Sequence, residues 1–256
     1  MIRGAITSYI DVAQLVLYAF FAFFFILVFY LRREDRREGY PLEAEESGRV
    51  SERGFLLIPD PKTYRRSNGE TYTAPNFKRD TRLINARKVE PWPGSPIEPT
   101  GNPLLAGVGP GAYAERSDHV EQTFDGRDLI VPMRVATNYA VAAEGVSPLG
   151  FAVVGADGKT GGVVKDLWVD RGECVLRYYE VAVAGGVKTV LLPVTFSKVD
   201  FANKRIKVQA ILGDQFADVP AMRNPNRVTL LEEEKVTTYY GAGTLYATAQ
   251  RADPLL

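Results

Sequence analysis

The chain has one cysteine, one histidine and no excess of either charge, and each shortage removes a class of function. A lone Cys174 excludes an internal disulfide and any multi-cysteine metal site. A lone His119 leaves too few ligands for a zinc or haem centre, and Ser-His or Cys-His catalysis loses its players. In "RSDHVE" it is expected as a solvated loop residue. Thirty-one basic residues balance 31 acidic ones, so no global field draws the chain toward nucleic acid, and charge must act locally. Glycine-rich phosphate loops are missing too: "GVGPGAY" at 107–113 comes nearest, but its proline and the absence of a lysine make it a turn. With no nucleophile elbow and no nucleic-acid aromatic platform, the residues suit a scaffold better than an enzyme.

Long apolar runs are scarce as well, and the exception organises the chain. From Val12 to Leu31 there are 20 residues without formal charge, enough for a helix about 30 Å long, the thickness of a bilayer's hydrocarbon layer. The run is too long for the core of a secretory signal peptide and lacks its basic lead and small-residue cleavage pattern. Phenylalanines at 20, 21, 23, 24, 25 and 29 surround the helix, so it can face lipid on one side and a partner helix on another. Arg3 alone precedes the span, whereas Arg32, Arg33, Arg36 and Arg37 follow it. The positive-inside rule then leaves residues 1–11 outside, residues 12–35 as the transmembrane helix and the remainder cytoplasmic. These four arginines and Tyr40 are the expected membrane-interface set, where they touch anionic lipid headgroups or pair with Glu34, Asp35 and Glu38. A cytoplasmic thiol stays reduced, which suits Cys174.

Residues 36–110 are expected to be an extended strap. Ten prolines between 41 and 110 block long helices and central strands. Yet Phe55, Leu56, Leu57, Ile58, Tyr64, Tyr72, Phe77, Trp92 and Tyr113 carry more apolar surface than a solvated linker needs, which predicts a segment lying on a partner protein. Within the last segment, residues 111–256, the pattern after Pro148 changes to short β runs: "FAVV", "GGVVKDLWVD", "CVLRYYEVAV", "KTVLLPVTFSKVD" and "RIKVQAIL". Gly, Asp and Asn break them every eight to twelve positions, which predicts a small antiparallel barrel or curled sheet. "VTLLEEEKVTTYY" at 228–240 is the one good helix candidate after the span, with Glu232 to Glu234 on its solvated side.

The remaining candidates are acidic groups at strand ends. In "VDRGECVLRYYE" the turn between two β runs holds Asp170 and Glu173, with Arg171 and Arg177 close by. Solvated, these are ordinary surface charges; buried against a partner, the carboxylates would hold protons nearer neutral pH and relay them.

Five stretches together resemble the H subunit of the photosynthetic reaction centre of purple bacteria: "YIDVAQLVLYAF", "REGYPLE", "PTGNPLLAGVGPGAY", "GGVVKDLWVD" and "RVTLLEEEK". "REGYPLE" directly after a single amino-terminal span is the most specific of them. The resemblance implies a PRC-barrel-like β domain, a place in the bacterial inner (intracytoplasmic) membrane and no cofactor bound by this chain. The implied partners are the two large subunits that hold bacteriochlorophyll, bacteriopheophytin, quinones and a non-haem iron. A cytochrome subunit, the light-harvesting antenna and membrane lipid are further candidates. It also implies that Glu173, Asp170 and Arg177 serve the proton route to the secondary quinone. In that family two surface histidines before a Pro-Met dipeptide form the proton entrance. Here "FDGRDLI" precedes Pro132 and Met133, so Asp125 and Asp128 are the stand-ins, and a carboxyl of pKa about 3.9 is a poorer donor at pH 7 than an imidazole near 6.5. The competing reading is a membrane-tethered barrel adaptor for RNA-processing or ribosomal partners.

Overall fold

A computed structural model describes residues 4, 6–7, 9–44, 49–51, 58–67, 69–76, 78, 80–186 and 188–252. Arg3, Phe55, Leu56, Leu57 and Phe77 of the sequence argument lie outside them. The chain forms two compact units, residues 1–82 with 92–94 and residues 83–91 with 95–256. The segment 36–110 therefore contributes to both.

In the first unit, helix α1 (Val12–Glu34) opens on Asp11, whose side chain accepts the Gln14 backbone N–H at 2.7 Å. This cap satisfies one of the four orphan donors that every helix start leaves. None of its residues is buried. Among the described residues it is the one helix long and apolar enough to cross a membrane. Phe20 stacks on Phe24 and Phe21 on Phe25, as i,i+4 neighbours do. Two two-stranded ladders follow, β1 (Leu42–Glu43) with β2 (Val50–Ser51), and β3 (Lys62–Arg65) with β4 (Thr71–Ala74).

The second unit adds a short ladder of β5 (Ala86–Lys88) and β6 (Ile97–Pro99), then a seven-stranded sheet. The sheet's strands are β7 (Ile130–Pro132), β8 (Ala152–Val154), β9 (Thr160–Asp170), β10 (Val175–Val183), β11 (Thr189–Pro193), β12 (Ser197–Asp200) and β13 (Arg205–Val208). Its order is β11-β10-β9-β8-β13-β12, with β7 on β9. All five predicted β runs form strands, and β7 is an addition. Two details differ from the antiparallel barrel expected from the runs. Strand β13 lies parallel to β8, because the chain returns past the whole β9–β12 excursion before pairing. The hydrogen-bonded path is also open at β11 and β12. The 13-residue run "KTVLLPVTFSKVD" breaks in two at Pro193, where a 3₁₀ turn (Val194–Phe196) intervenes, since proline supplies no N–H to extend the ladder.

The core is built from Trp168, Val181, Leu191, Leu192, Ile206 and Phe216, all fully enclosed, each large side chain contributing about 1.5–3 kcal/mol. Helix α2 (Leu230–Tyr246) covers it, burying Val236, Tyr239 and Tyr240. Its start is a capping box in which the Thr229 side chain accepts the Glu232 N–H and the Glu232 carboxylate accepts the Thr229 N–H. The helix runs six residues beyond the Tyr240 end expected from the sequence, through "GAGTLY". Each glycine costs about 1 kcal/mol of helix propensity, but close packing overrides it: a Cβ on Gly243 would stand 2.4 Å from the Ala210 carbonyl oxygen and from Ile211. The "GVGPGAY" turn is a 3₁₀ turn at Gly109–Gly111 packed on the same helix.

Candidate functional site

Strand β9 ends at Asp170, and the turn into β10 is built on that side chain. Asp170 Oδ1 accepts the backbone N–H groups of Gly172 at 2.8 Å and Glu173 at 3.1 Å. Asp170 is 4% exposed, and its other oxygen lies 3.9 Å from Arg177 Nε. Cys174 closes the turn in the left-handed region, φ 57°, and the Glu173 side chain before it is exposed to solvent. The sequence-chosen trio is thus brought together with divided roles: Asp170 is the buried support, Glu173 the exposed carboxylate, Arg177 the exposed counter-charge. Arg171 reaches outward from the same turn to donate to the Asp128 carbonyl at 3.2 Å.

The expected entrance residues sit on the 123–128 turn. Asp125 is exposed and accepts from the Thr123 hydroxyl, with Arg127 Nε at 2.6 Å from its other oxygen. The Thr123 hydrogen bond, aided by Arg127, holds its carboxyl below the usual carboxylate value. It is therefore a fixed anion that attracts protons rather than a group that stores them. Asp128 is half-buried and pairs with Arg227 at 3.0 Å. His119 is exposed, as expected.

Two glutamates that sequence reasoning passed over are the ones most removed from water. Glu232 to Glu234 were expected on the solvated side of α2; all three are half-buried. Glu233 accepts the Tyr178 hydroxyl at 2.5 Å. Burial pushes its carboxyl up from the ordinary 4.5; Tyr178 and Arg177 oppose this, and the charges of Glu121 and Asp170 reinforce it. Glu233 thus joins the Asp170 cluster electrostatically, across 63 residues of chain. Glu180, in the middle of β10, is 1% exposed. It accepts from Arg134 at 2.6 Å and from Trp168 Nε1–H at 3.0 Å, with Lys165 at 3.5 Å, and Arg134 also reaches Asp166 at 2.7 Å. A glutamate inside "YYEVAV" was the available signal, because a charge within an apolar strand survives only when paired.

The Glu233 environment makes a pH prediction. A group whose folded pKa is raised contributes stability below its unfolded value and loses it as pH rises through the folded value. Glu233→Gln removes that loss. The variant is expected to match the wild type near pH 4 and to gain on it as pH rises above 4.5, in unfolding midpoints measured from pH 4 to 8. A gap that stays constant over that range would refute the buried-carboxyl assignment.

At the end of α1 the interface residues separate. Arg37 is 9% exposed at its side chain and is committed to protein: it donates to both Glu34 oxygens, at 2.8 and 2.9 Å, and to the Asp60 and Ala74 carbonyls. It is therefore a clamp between the helix end and the β3–β4 ladder, not a charge offered to headgroups. Lys62 joins it on Glu34 at 2.8 Å. Arg32 and Arg33 remain exposed, Arg32 beside Asp35, and Arg36 lies over the Tyr40 ring at 5.3 Å.

Two family models match the chain. The model of the photosynthetic reaction centre H-chain N-terminal region covers residues 4–135, just over half of the sequence, and the PRC-barrel domain covers residues 141–215. The second match takes in β8 to β13 and the Asp170 turn.

Proposed function

From a chain that belongs to the photosynthetic reaction-centre H-chain family, a structural subunit associated with the other reaction-centre subunits at the membrane, we propose a second role: guiding protons toward the secondary quinone. The family membership favours this over the adaptor reading. Helix α1 crosses the bilayer once, with residues 1–11 periplasmic and the β domain cytoplasmic, as the arginines after Leu31 require. The strap of residues 36–110 and the β domain then lie over the two pigment-holding subunits, stabilise the quinone region and exclude bulk water. The pigments, quinones and iron belong to those partners, and this chain supplies protein groups only.

The observation that carries the proton role is the Asp170 turn. There the charges of Asp170 and Glu121 both act on Glu233, with Arg177 as the opposing charge. Such an excess of negative charge in a site partly removed from water favours a held proton. Glu173, exposed at the same turn, exchanges protons with the medium, and Glu233, pushed up by burial, holds one closer to neutral pH. Asp125 and Asp128 draw protons to this face by their charge.

Purification of the tagged chain from its native membrane tests the assembly. It is expected to bring down two large subunits and near-infrared bacteriochlorophyll absorption. A colourless, monomeric preparation from gently solubilised membranes would contradict the reading.

A further inference from the structure

We propose that the cleft between the β12–β13 hairpin, the 3₁₀ turn after β11 and the carboxyl end of α2 binds a phosphate-bearing solute. It is a cavity of about 500 Å³ whose lining includes Lys198, Lys207, Arg251, Thr195, Phe196 and Gln209. The cleft shares no residue with the acidic turn at Asp170.

Lys198 and Lys207 are directly opposite one another in the antiparallel β12–β13 pair, so their side chains rise from the same face. Like charges in that position are destabilising. The neighbouring carboxylate resolves only part of the conflict: Asp200 accepts Arg205 at 3.0 Å and Lys207 at 3.2 Å, while Lys198 has no carboxylate partner among the described residues. The third cation comes from the far end of the chain. Arg251 donates from one Nη to the Ala210 and Gly243 carbonyls, both at 2.9 Å. These bonds anchor the guanidinium and satisfy a carbonyl at the end of α2 that would otherwise repel an anion. Its remaining N–H groups make no hydrogen bond within the described residues.

Edge protection explains part of this arrangement. Strand β12 ends the sheet, and a lysine there discourages edge-to-edge pairing. That accounts for Lys198 alone, not for a second lysine on the inner strand or for an arginine brought to the same cleft from 44 residues beyond it. Three cations around one hollow, in a chain whose charges otherwise balance, match a ligand with several anionic oxygens, and arginine's planar fork suits phosphate in particular. The volume is in the range of small-molecule sites and exceeds that of a bare phosphate. Phe196, stacked at 5.8 Å on the buried Tyr240, is a fixed apolar wall for the rest of the solute, with the Thr195 hydroxyl and Gln209 amide at hand for its polar groups.

The test uses the full chain in detergent and inorganic pyrophosphate as probe, by calorimetry at low ionic strength. Saturable binding with Kd below about 1 mM is expected. Lys198→Glu, at an exposed position and with its fold checked by circular dichroism, is expected to weaken binding by about tenfold or more. Lys78→Glu, exposed and outside the cleft, is expected to leave it unchanged. A parallel arm with phosphatidylglycerol nanodiscs separates the sources. Competition of pyrophosphate with lipid for a Lys198-dependent site assigns the phosphate to a headgroup, and pyrophosphate binding unaffected by lipid assigns it to a soluble ligand. No saturable binding of either probe, or equal weakening by the two lysine reversals, would overturn the proposal.

Discussion

A variant carrying Asp170→Asn and Glu173→Gln, assembled with its partner subunits, is expected to slow proton-coupled reduction of the secondary quinone by on the order of 10²-fold. Primary charge separation is expected to be unchanged. The two substitutions preserve size, and an asparagine oxygen still accepts the Gly172 and Glu173 N–H groups that shape the turn. What disappears is charge. Without Asp170 the field that helps hold a proton on Glu233 weakens, and without Glu173 the turn has no exposed carboxylate to exchange one with the medium. Lower pH is expected to restore part of the rate, because supply through the remaining carboxylates rises with proton concentration. Flash absorption spectroscopy of the first and second electron transfers separates the two steps. A second transfer at the normal rate and normal pH profile would remove the turn from the proton route while leaving the scaffold role intact.

The second large effect is on stability. Glu180→Ala is expected to destabilise the β domain by about 3–5 kcal/mol, a fall in unfolding temperature of about 6–20 °C for a protein of this size. The loss is not simply one ion pair. Arg134, Lys165 and the indole N–H of Trp168 all converge on Glu180, and its removal leaves the buried indole donor facing a hollow and takes from Arg134 its buried partner, with only Asp166 left to balance its charge. Glu180→Gln, which keeps an acceptor for Trp168 while deleting the charge, is expected to fall between the two. Combining Glu180→Ala with Arg134→Ala should cost less than the sum of the two single changes, because both remove the same contact. Denaturant or thermal unfolding of the detergent-solubilised chain measures all three. A Glu180→Ala cost below 1 kcal/mol would show that the cluster is solvated in solution.

These two predictions stand on different degrees of legibility. Asp170 and Glu173 stood out in "VDRGECVLRYYE" as charges in a turn between two β runs, with Arg177 close by, and the family resemblance implied the proton role of all three; the structure puts the two carboxylates on the turn and Arg177 in β10 beside it. Glu180 was readable in principle as a glutamate inside an apolar strand, yet its partners Arg134 and Lys165 lie 46 and 15 residues away, beyond any local pattern. Glu233 was misplaced for a similar reason. Its helix has acidic residues at three successive positions, which periodicity assigns to solvent, whereas Tyr178 of β10 comes up against that first turn from elsewhere in the chain. Arg37 belongs with them: within five residues of three other arginines in the sequence, it differs by reaching the Asp60 and Ala74 carbonyls.

By itself the sequence determined the features that short stretches carry: the apolar helix, because 20 uncharged residues have one favourable environment; and the β runs, because alternation and turn residues act within a few positions. Tertiary structure alone decided which carboxylates leave water, which arginine is locked, that β13 runs parallel to β8, and that α2 continues through its glycines. The physical reason is the same in each case. Desolvation and close packing are properties of surfaces brought together from distant parts of the chain, and no single stretch contains both sides of the contact.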